Sequence, residues 1–236
     1  MTILTIKNVG LRHPHAPQPA LTHVNYTVET GDFVILLGSN GSGKSTLLKL
    51  IQGQLTPDTG KISFDKQSKQ QRSIAALTQN CDDSIFPSLT IYENYLLAKR
   101  KTALLRSKQE KETLSAYLRE FNPNLAAKLD TPVNRLSGGE KQALALALCL
   151  LETPALLLLD EHTSALDPKT SRQIMELTKK MIVRHHITCI LTTHDLDIAL
   201  EYGNRILMLK EGRVHQTWDQ EQKSALTKQA ILQHYY

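Results

Sequence analysis

The chain is poor in cysteine: Cys81, Cys149 and Cys189 lie far apart among 236 residues, with no paired metal-ligand spacing. The odd count and the spacing argue against a disulfide framework, and reduced thiols are the plain expectation. Long apolar runs are also lacking. The most apolar stretch, Ala143 to Leu159, is broken at Glu152-Thr153-Pro154, short of the ~20 residues that a membrane-spanning helix needs. The N-terminus MTILTIKNVG has no basic segment followed by an apolar one, so neither a secretory signal nor export is expected. No repeat, low-complexity tract or regulatory extension is visible. A length of 236 residues with 41% hydrophobic content accommodates one large α/β domain, not two in tandem. The excess of one sign of charge is modest as well, with 28 Lys and Arg against 23 Asp and Glu for a net charge of +5. Its densest cluster, Lys99-Arg100-Lys101 followed by Arg106 and Lys108, reads as a solvated helix face rather than a nucleic-acid or lipid patch.

What is present is a regular succession of short apolar segments. Residues 2 to 37 read as strands: ILTIKNV, then Val24, Tyr26 and Val28 alternating with polar neighbours, a Gly31-Asp32 turn, and the buried run Phe33 to Leu37. From Lys44 to Gly53 the period becomes helical, with Leu47, Leu48, Leu50 and Ile51 on one face and Gly53 as a stop. Strands are expected at Ile62–Phe64 and Ile74–Leu77, followed by a helical insertion with leucines at helical spacing from about Thr90 to Leu129. Beyond it, buried strands at Ala155–Leu159 and Ile187–Thr192 flank an amphipathic helix, Pro168–His185. That succession predicts a parallel crossover. A last strand pair, Arg205–Leu209 and Arg213–Gln216, precedes a short polar helix.

Gly38-Ser39-Asn40-Gly41-Ser42-Gly43-Lys44-Ser45 fits G-x-x-x-x-G-K-[ST], and it lies between an expected strand and an expected helix, as that motif's mechanism requires. The glycines let backbone N–H groups and a positive helix N-terminus face phosphate oxygens. Lys44 would reach the β- and γ-phosphates of a nucleotide. The Ser45 hydroxyl is placed to ligate Mg²⁺, with Thr46 as a further phosphate donor.

Two later segments narrow the class. In Leu136-Ser137-Gly138-Gly139-Glu140-Lys141-Gln142, Ser137 and Glu140 form a capping box for the apolar helix that follows. Its two glycines weaken the first turn by roughly 1 kcal/mol each, which makes sense if that turn presses against a phosphate. Leu156-Leu157-Leu158-Leu159-Asp160-Glu161 is a buried strand ending in two carboxylates, costly unless a cation or polar partner awaits them. Strand alternation would send the two side chains in different directions. Asp160 is expected to hold Mg²⁺ and Glu161 to polarise a water that attacks the γ-phosphate.

On the phosphate loop, LSGGE and LLLLDE, the sequence resembles the ATP-binding cassette (ABC) ATPase family over almost its whole length. The resemblance implies a P-loop α/β fold: a parallel core over about 1–79 and 136–236, an N-terminal antiparallel β subdomain, and a helical subdomain over about 80–135. It implies Mg²⁺ and ATP as ligands and hydrolysis to ADP and phosphate. It makes Gln79 the glutamine that touches Mg²⁺ and the attacking water, and His194 the histidine that contacts the γ-phosphate. Ser164-Ala165-Leu166-Asp167 resembles the loop at the dimer seam. It implies a head-to-tail homodimer in which Ser137, Gly138, Gly139, Glu140 and Asp167 act on the ATP held by the other subunit.

Some positions depart from the family pattern. Where members place an aromatic side chain against adenine, this chain has Arg12-His13-Pro14-His15. His13 either stacks there or is an unrelated turn histidine, and selectivity for adenine over guanine is expected to be weak. His162 replaces the usual Pro after Glu161, where it either tunes the site or packs, and Ala143 replaces the usual Arg after Gln142. The segment Ser84 to Asn94 looks like the surface that receives a membrane permease, with Phe86 and Leu89 as contacts or, alternatively, as anchors of the helical insertion. The resemblance implies a transporter ATPase on the cytoplasmic face of the cell membrane, similar to those of amino-acid uptake systems with an extracytoplasmic substrate-binding protein. Alternatives are a lipoprotein-release or drug-export ATPase, a soluble ATPase of the iron–sulfur-assembly type, and a nucleotide-sensing module. No nucleic-acid partner is expected.

Overall fold

A computed structural model describes residues 1–64, 74–99 and 108–235. Arg100, Lys101 and Arg106 of the basic cluster, and Leu104 and Leu105 of the expected insertion, lie outside them. The chain begins with strands β1 (Thr2–Leu11), β2 (Leu21–Glu29) and β3 (Phe33–Leu37), helix α1 (Lys44–Ile51), and strands β4 (Thr59–Phe64) and β5 (Ile74–Leu77). Helices α2 (Ile91–Ala98), α3 (Lys108–Arg119), α4 (Pro123–Ala127) and α5 (Gly138–Cys149) follow. Then come β6 (Leu156–Asp160), α6 (Pro168–His185), β7 (Thr188–Thr193), α7 (Leu196–Glu201), β8 (Arg205–Lys210), β9 (Arg213–Trp218), α8 (Gln220–Ser224) and α9 (Lys228–Tyr235).

The described residues divide into two compact units. The first comprises those of 1–76, 155–160 and 182–236, the second those of 77–154 and 161–181. A six-stranded sheet of order β5-β6-β7-β3-β8-β9 has β6, β7, β3 and β8 mutually parallel and β9 antiparallel at its edge. Its middle strands are apolar without alternation because both faces are covered: every residue of β3 and β7 is buried. A separate antiparallel sheet, β2-β1-β4, alternates buried and exposed residues along β2. Its inward side chains share one core with α1, where Leu47, Leu48, Leu50 and Ile51 are each at most 4% exposed. Each such leucine contributes on the order of 2 kcal/mol by leaving water. The expected parallel core and antiparallel sheet are thus both present in the first unit.

The second unit is helical, and its helices begin where the sequence supplies caps. Thr90 with Glu93, and Ser137 with Glu140, close reciprocal capping boxes on α2 and α5, while Asn122 caps α4 ahead of Pro123. The Tyr117 hydroxyl on α3 donates to the Ala147 carbonyl of α5 (2.8 Å). Among the described residues no helix is long and apolar enough to cross a membrane.

Candidate nucleotide site

The phosphate loop leaves the C-terminal end of β3 and opens directly into α1. Gly41 and Gly43 have φ of 80° and 102°, the left-handed region that an L side chain adopts only with strain. Gly38 is required by space: a Cβ there would lie 2.5 Å from the Leu209 carbonyl oxygen and 2.5 Å from Ser42 Oγ. Lys44 is 5% exposed, and its ammonium group donates to the carbonyls of Gly38 (2.8 Å) and Ser39 (3.2 Å). A cation is therefore folded over the loop whose glycines shape it. Ser39, Asn40 and Ser45 are exposed. His13, brought in from the turn after β1, lies 3.2 Å through Nε2 from the Thr46 hydroxyl.

Parallel register brings further groups to the same edge of the sheet. Leu37 pairs with Thr193, and Asp160 with Thr192, so β3, β7 and β6 end together, the edge where parallel sheets of this class bind ligands. Asp160 Oδ1 accepts a hydrogen bond from the Thr192 hydroxyl at 2.6 Å. His194 stands exposed one residue beyond β7. Sequence spacing did not reveal Thr192, whose role follows only from its pairing with Asp160. A serine hydroxyl and a carboxylate are oxygen donors suited to a hard cation such as Mg²⁺.

Glu161 departs from the sequence expectation. The strand stops at Asp160, and Glu161 takes φ 44°, so its side chain is aimed by a tight turn, not by strand alternation. The turn is closed by Ser164 N–H donating to the Glu161 carbonyl (2.9 Å). A non-glycine residue held in this region stores strain of order 1–3 kcal/mol, a cost that clusters at functional positions. His162 points inward: it is 2% exposed, and its Nε2 lies 3.2 Å from Thr178 Oγ1. Burial pushes its imidazole down to about 4, so the ring is neutral at pH 7. Packing is therefore what His162 does.

Gln79 and Ser164 meet in the second unit, Gln79 Nε2 donating to Ser164 Oγ at 3.1 Å. Asp167 accepts from the N–H groups of Lys169 and Thr170 (3.1 Å each) at the start of α6. The hydrogen bonds from Thr170 hold its carboxyl below the usual range. Ser137 and Gly138 are exposed at the start of α5. Behind them, Glu140 Oε2 accepts from Ser137 N–H (3.0 Å) and Oε1 from Lys128 Nζ (2.7 Å). Burial would raise the Glu140 carboxyl, but the Lys128 and Ser137 hydrogen bonds outweigh it and hold it below its ordinary value. Both oxygens of Glu140 are thus engaged within its own chain. Gly139 packs on α6, where a Cβ would come within 2.6 Å of Thr170 Cγ2. In the segment read as a permease surface, Phe86 is 57% exposed whereas Ile85, Ile91 and Tyr92 are each at most 2% exposed. Those three, and not Phe86, anchor the segment.

Comparison with known proteins places this geometry. Residues 21–164 match the family model described as ABC transporter. The chain is 37% identical to a tyrosine transport ATP-binding protein of Clostridioides difficile (strain R20291), over 98% of each. Among solved structures, a dimeric ATP-binding cassette in a post-hydrolysis state bound to ADP and Pi is 29% identical, covering 92% of this chain and 99% of that one at a TM-score of 0.74. A Clostridium perfringens cassette that is part of an ABC transporter complex is 28% identical, covering 98% and 93% at a TM-score of 0.80. The chain belongs to the ABC transporter family. It has the P-loop ABC ATPase fold and is the ATP-binding and ATP-hydrolysing subunit of such a transporter. Cassettes of this family form dimers and work with membrane permease components, and the soluble iron–sulfur-assembly alternative is set aside.

Proposed function

We propose that this subunit powers uptake of an amino acid, binding Mg-ATP at the phosphate loop and hydrolysing it in a head-to-tail homodimer. The observation that carries the reading is the loop Gly38–Ser45 at the end of β3, with Lys44 folded over its carbonyls and Asp160 on the same sheet edge. Mg²⁺, held by Ser45, Asp160 and Gln79, would supply charge neutralisation at the β- and γ-phosphates. Lys44 neutralises the transferring phosphoryl group, and the N–H groups of the loop orient it. Glu161 takes a proton from the attacking water. The new P–O bond forms at the γ-phosphorus as the bond to the β-phosphate oxygen breaks, leaving ADP and phosphate. His194 donates toward the γ-phosphate, and His13, held 3.2 Å from the Thr46 hydroxyl, would stack on the base. Ser137, Gly138 and Gly139 meet the ATP of the second subunit, with Asp167 at the seam. The exposed start of a 12-residue helix supports that role, because the positive end of the helix dipole attracts an anion.

The segment Phe86–Tyr92 receives the permease, which attaches the subunit to the cytoplasmic face of the membrane, and an extracytoplasmic binding protein delivers the substrate. The tyrosine transport relative supports an amino acid as cargo. Phosphate release from saturating Mg-ATP tests the chemistry. Wild type turns over, and Glu161→Gln, which keeps shape but lacks the base, falls at least about 100-fold. Equal rates would remove Glu161 from the mechanism.

A further inference from the structure

The signature turn at Ser137 is supported from one side by a segment that also holds the proposed permease surface. Lys128, just after α4, reaches Glu140 Oε1 at 2.7 Å. The other oxygen of that carboxylate fixes the Ser137 N–H. Between them runs the chain from Leu129 to Leu136, tied to the Phe86–Tyr92 segment by four backbone bonds. Ile91 and Tyr92 N–H groups donate to Thr131 (3.2 Å) and Leu129 (2.9 Å), and Val133 and Asn134 N–H groups donate to Leu89 (2.9 Å) and Pro87 (2.8 Å). The buried Asn94 side chain closes the far end, accepting from Phe86 N–H (2.7 Å) and donating to the Phe86 carbonyl (3.0 Å). A displacement at Phe86 therefore enters a hydrogen-bonded strap whose two ends both finish at the signature turn: one through the chain into Ser137, the other through the Lys128 side chain into Glu140.

We propose that Lys128 is a positioning residue for ATP hydrolysis: its ion pair with Glu140 holds the signature turn in the geometry that receives the second subunit's ATP and makes the strap from Phe86 move that turn as one piece. The inference rests on the composite-site reading above. Glu140 is mostly buried, with its side chain 11% exposed against 41% for Lys128. Removing the lysine leaves a desolvated carboxylate whose relief is to turn away from Ser137. Removing both charges does not create that conflict.

The test uses the full chain in a Glu161→Gln background, which stops hydrolysis, and reads two quantities: ATP affinity of the monomer by calorimetry and the ATP-dependent dimer dissociation constant by light scattering. Adding Lys128→Met leaves monomer affinity within about twofold, since Lys128 lies outside the phosphate loop, and weakens the dimer about tenfold. Lys128→Arg restores the dimer to within about threefold, as does Lys128→Met combined with Glu140→Gln, the non-additivity expected of a directly interacting pair. An unchanged dimer in Lys128→Met, or additive losses in the double variant, overturns the inference while leaving the composite site standing. If the Glu161→Gln background itself does not dimerise with Mg-ATP, the composite-site reading falls and this inference falls with it.

Discussion

His162 Nε2 and Thr178 Oγ1 lie 3.2 Å apart in a fully buried pair immediately after Glu161. The threonine hydroxyl already donates to the Ile174 carbonyl at 2.8 Å, so it can only accept from the ring. The ring is then assigned as the neutral tautomer carrying hydrogen on Nε2. With the imidazole pushed from 6.5 down to about 4 by burial, the unfolded chain binds a proton that the folded chain refuses between those values. The associated stability is complete above pH 6.5 and lost as pH falls toward 4, about 3 kcal/mol over the window. Urea unfolding of the nucleotide-free chain is expected to show this slope, and His162→Leu to flatten it. An equal slope in both proteins would mean that the ring is charged or solvated.

Gly43→Ala places a Cβ at φ 102°, 2.7 Å from both the Ala20 carbonyl oxygen and Leu21 Cδ2. Strain and collision together are expected to cost about 2–3 kcal/mol of stability in the absence of nucleotide, and ATP binding is lost because the loop opens. Thermal unfolding and calorimetric titration of the variant check both parts.

Asn94→Leu keeps the volume but leaves Phe86 N–H and C=O without the partners seen at 2.7 and 3.0 Å. A loss of about 2 kcal/mol is expected. Amide exchange confined to residues 84–90 should quicken more than exchange in the first compact unit.

Much of this was legible in the sequence, because the governing signals are local. The α6 bounds, Pro168–His185, and the β5 bounds, Ile74–Leu77, follow from periodicity alone and match the structure. The phosphate loop and the Ser137–Glu140 box are contiguous motifs whose spacing is their geometry. What escaped depends on contacts between distant residues or on one backbone angle. Thr192 meets Asp160 through the register of β6 and β7. Lys128 reaches Glu140 because α4 ends beside α5, and no spacing rule couples positions 12 apart across a turn. The strand reading of Glu161 failed because hydrophobic pattern reports burial, not the φ of 44° that ends β6. His162 directly follows Glu161 in sequence, yet its ring is buried against Thr178 of α6, a contact that adjacency to an acidic residue does not signal.

Light scattering of Glu161→Gln with and without Mg-ATP tests the composite-site account most directly. With Mg-ATP the predicted mass is twice the 26.5 kDa chain. Without nucleotide, or when Lys44→Met is added, it should return to one chain. A monomer under every condition, in a protein that still binds ATP by calorimetry, would contradict the account.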